Sequence, residues 1–256
     1  MGRIIAIANQ KGGVGKTTTA INLASCLAEK GKRVLAIDMD SQGNMTSGFG
    51  VEKDSYEHSI YDLLLGECNL GEAMIIDVFE NLNLVPSSQY LSGVEVDFIE
   101  VEKPQHILKN IIRNVRKKFD FIIIDCPPAL GMLTINSLVA ADTVIVPIQC
   151  EFYALEGLTQ LLYTIDMIKK KLNKTLEIEG VVFTMYDSRN NLSQEVVDNV
   201  KDNLDEIIYD TVVPRNVRLA EAPSFGLPIN HYDPRSTGAE AYRELADEVI
   251  KNKLFQ

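Results

Sequence analysis

The chain has 256 residues, of which 46% are hydrophobic and 24% charged, and it carries a formal net charge of −11. This composition is typical of a globular protein with a sizeable core, and no run approaches the roughly 20 apolar residues that a membrane-spanning helix needs. The acidic total argues mildly against nucleic acid as a partner, although basic groups gathered on one surface can override it.

Cysteine usage and the N-terminal residues predict a cytoplasmic protein. The 4 cysteines are far apart and lack C-x-x-C spacing, which favours free thiols in a reducing compartment. The 3 histidines are too scattered to suggest a His-based metal site. The apolar run that begins at Arg3 is too short for a signal peptide.

Apolar runs and amphipathic stretches alternate along the whole chain. The apolar runs predict strands at 3–9, 33–40, 81–88, 119–128, 142–149, 178–187 and 207–214. The amphipathic stretches predict helices at 16–29, 104–118, 156–172, 192–205 and 237–252. Several strands are hydrophobic throughout, as expected when both faces of a sheet are covered. The pattern predicts an α/β fold with a doubly wound, mostly parallel sheet and helices on both faces, and the lack of a linker favours one domain over residues 1–256.

The glycine-rich segment QKGGVGKTT joins the first predicted strand to the first predicted helix. In this setting, backbone N–H groups and the helix dipole bind phosphate. Lys16 would reach the β- and γ-phosphates of a nucleotide, and the Thr17 hydroxyl would bind Mg²⁺. The glycines that let the backbone approach phosphate oxygens are Gly12, Gly13 and Gly15.

The loop departs from the ordinary pattern G-x-x-x-x-G-K-[ST] in two ways. Gln10 stands where the first glycine belongs, and a second lysine, Lys11, follows it directly. A lysine that precedes the phosphate cradle is not needed to bind the phosphates of its own subunit. It could supply charge to a second subunit, or it could be a solvated residue on the shoulder of the loop.

Carboxylates end two of the predicted strands. Asp125 follows four apolar residues in FIIID, an arrangement like Walker B, and Asp38 and Asp40 end the strand VLAIDMD. Because side chains alternate along a strand, Asp38 and Asp40 share a face while Met39 points away. One carboxylate could orient a metal shell and another an attacking water. Taken singly, such residues could equally be solvated strand ends.

The segment KGGVGKTT resembles the deviant Walker A motif of the ParA/MinD ATPases. Longer segments are similar to the chromosomal ParA (Soj) group of that family, which partitions DNA, and the resemblance covers essentially the whole chain. These segments are DMDSQGNMTSGFG, IIIDCPPALGMLTINSL, QCEFYALEGL and VVPRNVRLAEAPSFGLPI. Ser41 stands where the group usually has proline, so we expect a slightly looser turn that still keeps the role of Asp40.

The resemblance implies a Mg²⁺-dependent ATPase that closes into an ATP-driven homodimer. Lys11 would be the signature lysine that touches the partner's nucleotide, Lys16 would act in catalysis, and Asp40 would position the hydrolytic water. Mg²⁺ would be held by Thr17, Asp38 and Asp125. The nucleotide site would comprise Lys11, Gly12, Gly13, Val14, Gly15, Lys16, Thr17 and Thr18, with Pro214 and Asn216 beside the adenine.

The resemblance also implies nonspecific DNA binding, with hydrolysis stimulated by a ParB (Spo0J-like) partner and a location on the nucleoid. Arg189 and Arg218 match positions implicated in DNA contact, and Arg215 is a possible neighbour of theirs. By itself each arginine cluster would suggest a solvated or salt-bridged surface, and the basic stretch 103–118 keeps that interpretation. No base-reading element is recognised, so contacts to backbone phosphates are expected, with strong salt dependence.

Other members of this ATPase class remain as alternatives. A MinD-like ATPase that positions membrane or protein cargo would end in a basic amphipathic helix, whereas 242–256 mixes acids and bases and suits a helix packed on the sheet. A redox relative like the nitrogenase iron protein would use Cys126 and Cys150, which lack the expected loop setting. A tyrosine kinase would need a C-terminal tyrosine cluster, and a non-hydrolysing scaffold would not need these intact motifs.

Overall fold

The computed structural model describes residues 2–53, 55–151, 154–204 and 208–252. In this part of the chain eight strands form one sheet in the order β3-β4-β2-β5-β1-β6-β7-β8. All neighbouring strands are parallel except the edge pair β3 and β4. The strands are β1 (Arg3–Ile7), β2 (Val34–Asp38), β3 (Ile75–Phe79), β4 (Leu82–Val85), β5 (Phe121–Asp125), β6 (Thr143–Gln149), β7 (Glu177–Tyr186) and β8 (Ile208–Pro214).

Helices cover both faces of the sheet, so two separate cores form. Along β1, Ile4 and Ala6 face one core while Ile5 and Ile7 face the other, which explains why the strand is apolar from Ile4 to Ile7. The helices are α1 (Lys16–Glu29), α2 (Asn44–Gly48), α3 (Ile60–Leu65), α4 (Leu70–Ala73), α5 (Val94–Asp97), α6 (Ile107–Arg113), α7 (Met132–Ala140), α8 (Ala154–Lys171), α9 (Asn191–Asn203), α10 (Val217–Glu221), α11 (Ile229–Tyr232) and α12 (Thr237–Lys251).

The predicted fold class is confirmed, and each predicted strand is present. Six strands have shorter bounds than predicted, and β7 has the predicted length but is shifted by one residue. The free state of all four cysteines also agrees with the sequence. The last helix, α12, packs its buried side, which includes Tyr242, against α1 and β8, as its mixed charge pattern suggested.

The sequence prediction missed α7, between β5 and β6, and the six shorter helices α2–α5, α10 and α11. Two further elements differ from it. The edge strand β3 was missed because it is short, half exposed and interrupted by Asp77 at φ 51°. The helix predicted at 104–118 is divided into two short 3₁₀ turns on either side of α6. Arg116 contributes to the break, because its guanidinium donates to Gly2 O and to Asp142 Oδ2, both at 2.6 Å.

Candidate nucleotide site

The loop between β1 and α1 leaves the N-terminus of α1 open to an anion. Gly13 at φ 76° and Gly15 at φ 87° adopt the left-handed conformation that favours glycine. No described side chain caps α1, so its first N–H groups have no partner within the helix and carry the positive end of the helix dipole. The local sequence therefore folds into a phosphate cradle, as predicted.

Two polar residues outside the recognised motif hold the loop in place. Asn9 donates to Pro147 O at 2.7 Å and accepts from the Lys11 N–H at 3.0 Å, which ties the start of the loop to β6. Thr184, near the end of β7, donates to Val14 O at 2.8 Å. Sequence reasoning missed both residues, because each bond joins the loop region to a strand that is distant along the chain and neither residue belongs to a recognisable spacing.

Lys16 places a buried ammonium group inside the loop. The residue is 7% exposed, and its Nζ donates to Lys11 O at 2.9 Å. Burial lowers the pKa of Lys16, while the nearby Asp125 carboxyl acts in the opposite direction. A buried cation at a helix N-terminus is suited to neutralise a phosphate group.

Asp125 and Asp38 end neighbouring strands and are paired in register across β5 and β2. Both are fully buried, and neither oxygen of Asp125 accepts a hydrogen bond of normal geometry. Burial, and then the charge of Asp38, raise the pKa of Asp125 well above its usual range, while the Thr17 hydroxyl offsets this only in part. A buried carboxyl without a partner is costly, so a cation beside it would be favourable.

Asp38 has a different environment from Asp125. Its Oδ2 accepts from the Thr46 N–H at 2.8 Å and the Thr46 hydroxyl at 2.7 Å, and its Oδ1 accepts from the Asp40 N–H at 3.2 Å. Burial raises the pKa of Asp38 to about 6, against the effect of these hydrogen bonds. Asp38 therefore orders the loop that carries Asp40 as well as lying beside Asp125.

Asp40 is held by a closed turn despite Ser41 replacing the usual proline. Its Oδ1 accepts from the Gln42 N–H at 3.0 Å, and its carbonyl accepts from the Gly43 N–H at 2.9 Å. The Ser87 hydroxyl also donates to Asp40 O. Backbone and side-chain bonds thus restrict the turn, and the slight loosening expected from Ser41 stays a prediction.

The described residues fit a magnesium ion held partly by a bound nucleotide. They contain no group of three or more His, Cys, Asp or Glu side chains arranged to hold a metal by themselves. Mg²⁺ commonly keeps several waters and is bound by one or two protein oxygens together with substrate phosphates. The orphaned oxygens of Asp125 and the adjacent Thr17 hydroxyl supply such oxygens next to the phosphate cradle.

A cavity of about 220 Å³ opens beside the loop and brings Pro214 and Asn216 next to Gly15 and Thr18. Its lining is mostly apolar and also includes Thr184, Met185, Val213, Leu219 and Tyr242. Asn216 caps α10 by accepting from the Arg218 N–H at 2.8 Å, and its Nδ2 donates to Thr237 Oγ1 at 2.9 Å. The cavity thus brings the segment expected beside an adenine next to the end of the phosphate loop.

Lys11 lies at the surface of its own subunit, paired with Glu151. Its Nζ is 2.5 Å from Glu151 Oε2, and the two side chains are 41% and 45% exposed. Exposed ion pairs of this kind contribute about 0–1 kcal/mol, so the Lys11 side chain can leave Glu151 at little cost. Sequence reasoning did not find Glu151, which follows β6 and is distant along the chain.

The three predicted DNA-contact arginines lie near the carboxyl ends of β7 and β8, and two of them are paired with acids. Arg189 donates to both oxygens of Asp187 at 2.9 and 2.8 Å, which lowers the pKa of Asp187 to about 2. Arg218 is 2.9 Å from Glu221 and 3.6 Å from Asp233. Arg215 is exposed and also lines the cavity that contains Pro214 and Asn216.

The glycine-rich loop, the buried lysine and the uncapped helix at the carboxyl edge of a parallel sheet define a P-loop nucleotide-binding protein. A family model described as an AAA domain matches residues 2–178. The sporulation initiation inhibitor protein Soj of Bacillus subtilis is 52% identical, covering 98% of this chain and 100% of Soj. The chromosome partitioning protein ParA of Caulobacter vibrioides is 47% identical, covering 98% of this chain and 95% of that ParA.

Solved structures agree with this assignment. Cobyrinic acid a,c-diamide synthase from Mycobacterium smegmatis, with bound ATP analogue and magnesium, superposes with a TM-score of 0.87 at 36% identity, covering 98% of this chain and 95% of that one. MinD from Pyrococcus horikoshii, complexed with Mg-ADP, gives 0.80 at 30% identity, with coverages of 98% and 97%. The chain belongs to the ParA/MinD family, within its group of Soj and ParA chromosome-partitioning proteins.

No helix in the described ranges combines the length and apolar character needed to cross a bilayer.

Proposed function

We propose that the protein is a Mg²⁺-dependent ATPase that partitions chromosomes or plasmids. The observation that carries this proposal is the uncapped N-terminus of α1, with buried Lys16 and the orphaned carboxyl of Asp125 beside it. This is a site for a polyphosphate and a divalent cation, in a chain whose relatives include a chromosome-partitioning ATPase Soj of Treponema pallidum at 46% identity. The Soj and ParA relatives favour DNA over the membrane or protein cargo of the MinD-like alternative.

The phosphate chain of ATP lies in the loop from Lys11 to Thr18. The N–H groups around Gly13 and Gly15 donate to phosphate oxygens, and Lys16 exchanges its bond to Lys11 O for the β- and γ-phosphates. The adenine occupies the cavity beside Pro214 and Asn216. Binding thus replaces a neutral acceptor of a buried ammonium by an anionic one, which strengthens the hydrogen bond.

Thr17 and Asp125 hold Mg²⁺, and Asp38 supports them from the neighbouring strand. When bound, the metal neutralises charge that develops on the phosphate oxygens. Asp38 also orders the 40–46 loop, so a single carboxyl connects the cation site with the loop of the hydrolytic residue. Within that loop, Asp40 is partly accessible at 9% exposure and orients the attacking water.

Lys11 acts on the nucleotide of a second subunit. Among the described residues its side chain pairs only with the exposed Glu151, so it can move when two loops meet face to face. A Cβ added to Gly12 would meet no atom within 4 Å, so the chain itself leaves this shoulder of the loop open. In the closed homodimer each Lys11 stabilises negative charge on the partner's transferring phosphate, as an arginine finger does.

ATP-driven dimerisation doubles a weak DNA-binding surface that includes Arg189, Arg215 and Arg218. The partner acids of Arg189 and Arg218 leave each single subunit little net positive charge there. Two copies on one duplex raise the affinity through effective concentration. Hydrolysis, stimulated by a ParB (Spo0J-like) partner, opens the dimer and releases it from the nucleoid.

The deciding experiment is binding to random-sequence duplex DNA with ATP, ADP or no nucleotide over a salt series. We expect tight binding with ATP only, and a steep loss as salt increases. Equal binding in all three states would contradict the nucleotide switch. No binding by ATP-bound dimers would contradict DNA as the cargo and support the MinD-like alternative.

A further inference from the structure

The net negative charge of the protein resides in one segment of the chain. Residues 54–102 contain 11 acidic residues and no lysine or arginine, whereas the remainder contains 25 acidic and 25 basic residues. The formal charge of −11 is thus equal to the charge of this segment alone. The negative electrostatic field of such a segment attracts cationic partners and repels anionic ones.

The C-terminal part of this segment carries apolar side chains that are exposed instead of being buried in the core. Leu91, Val94 and Phe98 point inward and are at most 3% exposed. On the outer side Val96 is 69% exposed and Ile99 is 76% exposed. Two more apolar side chains accompany them, Tyr90 at 64% and Val101 at 39%. Apolar groups clustered this way on a surface are typical of an interaction site.

Acidic residues surround these apolar side chains. Glu95, Asp97, Glu100 and Glu102 are all exposed and alternate with them along the chain. An open hollow of about 490 Å³ lies between Tyr61, Tyr90, Val96 and Asp97. The rings of Tyr61 and Tyr90 are 5.7 Å apart, and the Tyr61 hydroxyl donates to Asp97 Oδ2 at 3.1 Å. The hollow thus has aromatic walls and one acid in its lining, Asp97, while the other three acids lie close to it along the chain.

We propose that this surface, formed by residues 89–102 together with Tyr61, docks a basic segment of another protein that carries apolar side chains. Lysine or arginine of the segment would pair with the exposed acids of 95–102, and its apolar side chains would cover Tyr90, Val96 and Ile99. DNA and anionic lipid are repelled by the same acids. A second copy of this chain would bring acid against acid in a twofold contact, which is unfavourable.

The surface lies next to the loop that carries Asp40. Gln89 and Tyr90 also line a neighbouring hollow that contains Ser41 and Gly43. Ser88 caps the turn that begins at Gln89, and the adjacent Ser87 donates to Asp40 O. If the proposed ATPase function is correct, a docked segment would therefore be a neighbour of the residue that orients water.

The test uses the full chain without nucleotide and a fluorescein-labelled peptide of six lysines and six leucines. We expect the double variant Val96→Ser/Ile99→Ser to bind this peptide about ten-fold more weakly, because two apolar contacts are lost. Glu100→Lys/Glu102→Lys should weaken binding by a similar factor. A peptide with serine in place of leucine should lose most of the affinity, and one with glutamate in place of lysine should not bind.

Matched controls alter exposed residues elsewhere, Tyr163→Ser on α8 and Glu195→Lys/Asp202→Lys on α9. Each should bind within two-fold of the parent. Equal loss in these controls would overturn the proposal, since binding would then reflect total charge only. Self-association of the parent in sedimentation velocity without nucleotide, abolished by Ile99→Ser, would overturn it in favour of a second copy.

The docking surface and the proposed ATPase function can fail separately. Loss of peptide specificity with normal ATP hydrolysis would refute the docking surface alone. Specific peptide binding by a chain that does not hydrolyse ATP would refute the ATPase proposal and leave the docking surface supported.

Discussion

The phosphate loop and the arginine edge, which consists of Arg189, Arg215 and Arg218, both lie at the carboxyl ends of the strands. They differ in how far their charged groups are buried. Lys16 is 7% exposed, and its binding partners are fixed by a rigid helix start. The Arg189 side chain is 87% exposed and shares its charge with Asp187. Removing one partner of a buried charge pair is strongly unfavourable, whereas exposed charges contribute little individually and are screened by salt.

This difference suits two kinds of ligand. A single small polyanion can be bound tightly by one preorganised loop, without help from a second subunit. A long polyanion such as DNA can be bound by many weak contacts, which become effective only when two subunits act together. Substitutions in the two regions should therefore differ in magnitude and in the step that they affect.

The largest effect is expected from Lys16→Ala. Removal of the buried ammonium should weaken ATP binding about 100-fold or more, because phosphate would lose its charge-assisted partner in a water-poor site. Isothermal titration with ATP measures this loss. Lys171→Ala, an exposed lysine at the end of α8, should bind like the parent. ATP affinity unchanged by Lys16→Ala would contradict the assigned cradle.

The next effect is on hydrolysis. Asp40→Ala should lower ATP turnover about 100-fold and leave ATP binding intact, because only the orientation of water is lost. The ATP-bound dimer should then remain on DNA, as measured by phosphate release together with DNA retention. Asp202→Ala serves as the exposed carboxylate control. Turnover equal to that of the parent would show that Asp40 does not position water.

A smaller effect is expected at the arginine edge. Arg189→Glu and Arg218→Glu should each weaken DNA binding about ten-fold at low salt, with ATP-driven dimerisation retained, because phosphate contacts are lost at both copies. Fluorescence anisotropy over a salt series measures the loss, and the salt slope should become shallower. Arg113→Glu, in the basic stretch 103–118, should have little effect. A loss with Arg113→Glu alone would move the DNA surface to that stretch.

The smallest effect is expected from Glu151→Gln, which removes the charge that faces Lys11. Since exposed ion pairs contribute about 0–1 kcal/mol, ATP-driven dimerisation should change by at most about five-fold. Sedimentation equilibrium with ATP measures the shift. A change above this range would indicate that Glu151 holds Lys11 back, and that the pair regulates dimer closure.

Sequence reasoning predicted the phosphate loop well but described the polar site less completely. The glycines, Lys16 and Thr17 lie within one strand–loop–helix unit, so their placement follows from local backbone geometry. Asp38 and Asp125 could be assigned to the same edge of the sheet, but not to adjacent strands. Their pairing depends on β5 lying between β2 and β1, an order that strand patterns do not specify.

The arginine edge shows a second limit of sequence reasoning, which concerns the charge of the folded surface. By themselves the arginines suggested a solvated or salt-bridged surface, and only the family resemblance suggested that Arg189 and Arg218 contact DNA. In the folded chain Glu221 and Asp233 approach Arg218, and Asp187 neutralises Arg189. Charge counted along the chain therefore overestimates charge on the surface wherever folding brings acids to bases.

The amino-acid sequence by itself determined the fold class and the phosphate loop, whose residues all belong to one motif. These features depend on short-range periodicity and on glycine conformation. Only the tertiary structure decided the partners of the site. It joined Thr184 to the loop, Glu151 to Lys11 and Asp38 to Thr46, and it placed apolar side chains next to acids on the outer surface of 89–102. These contacts connect distant segments, and their existence depends on strand order and packing rather than on local sequence.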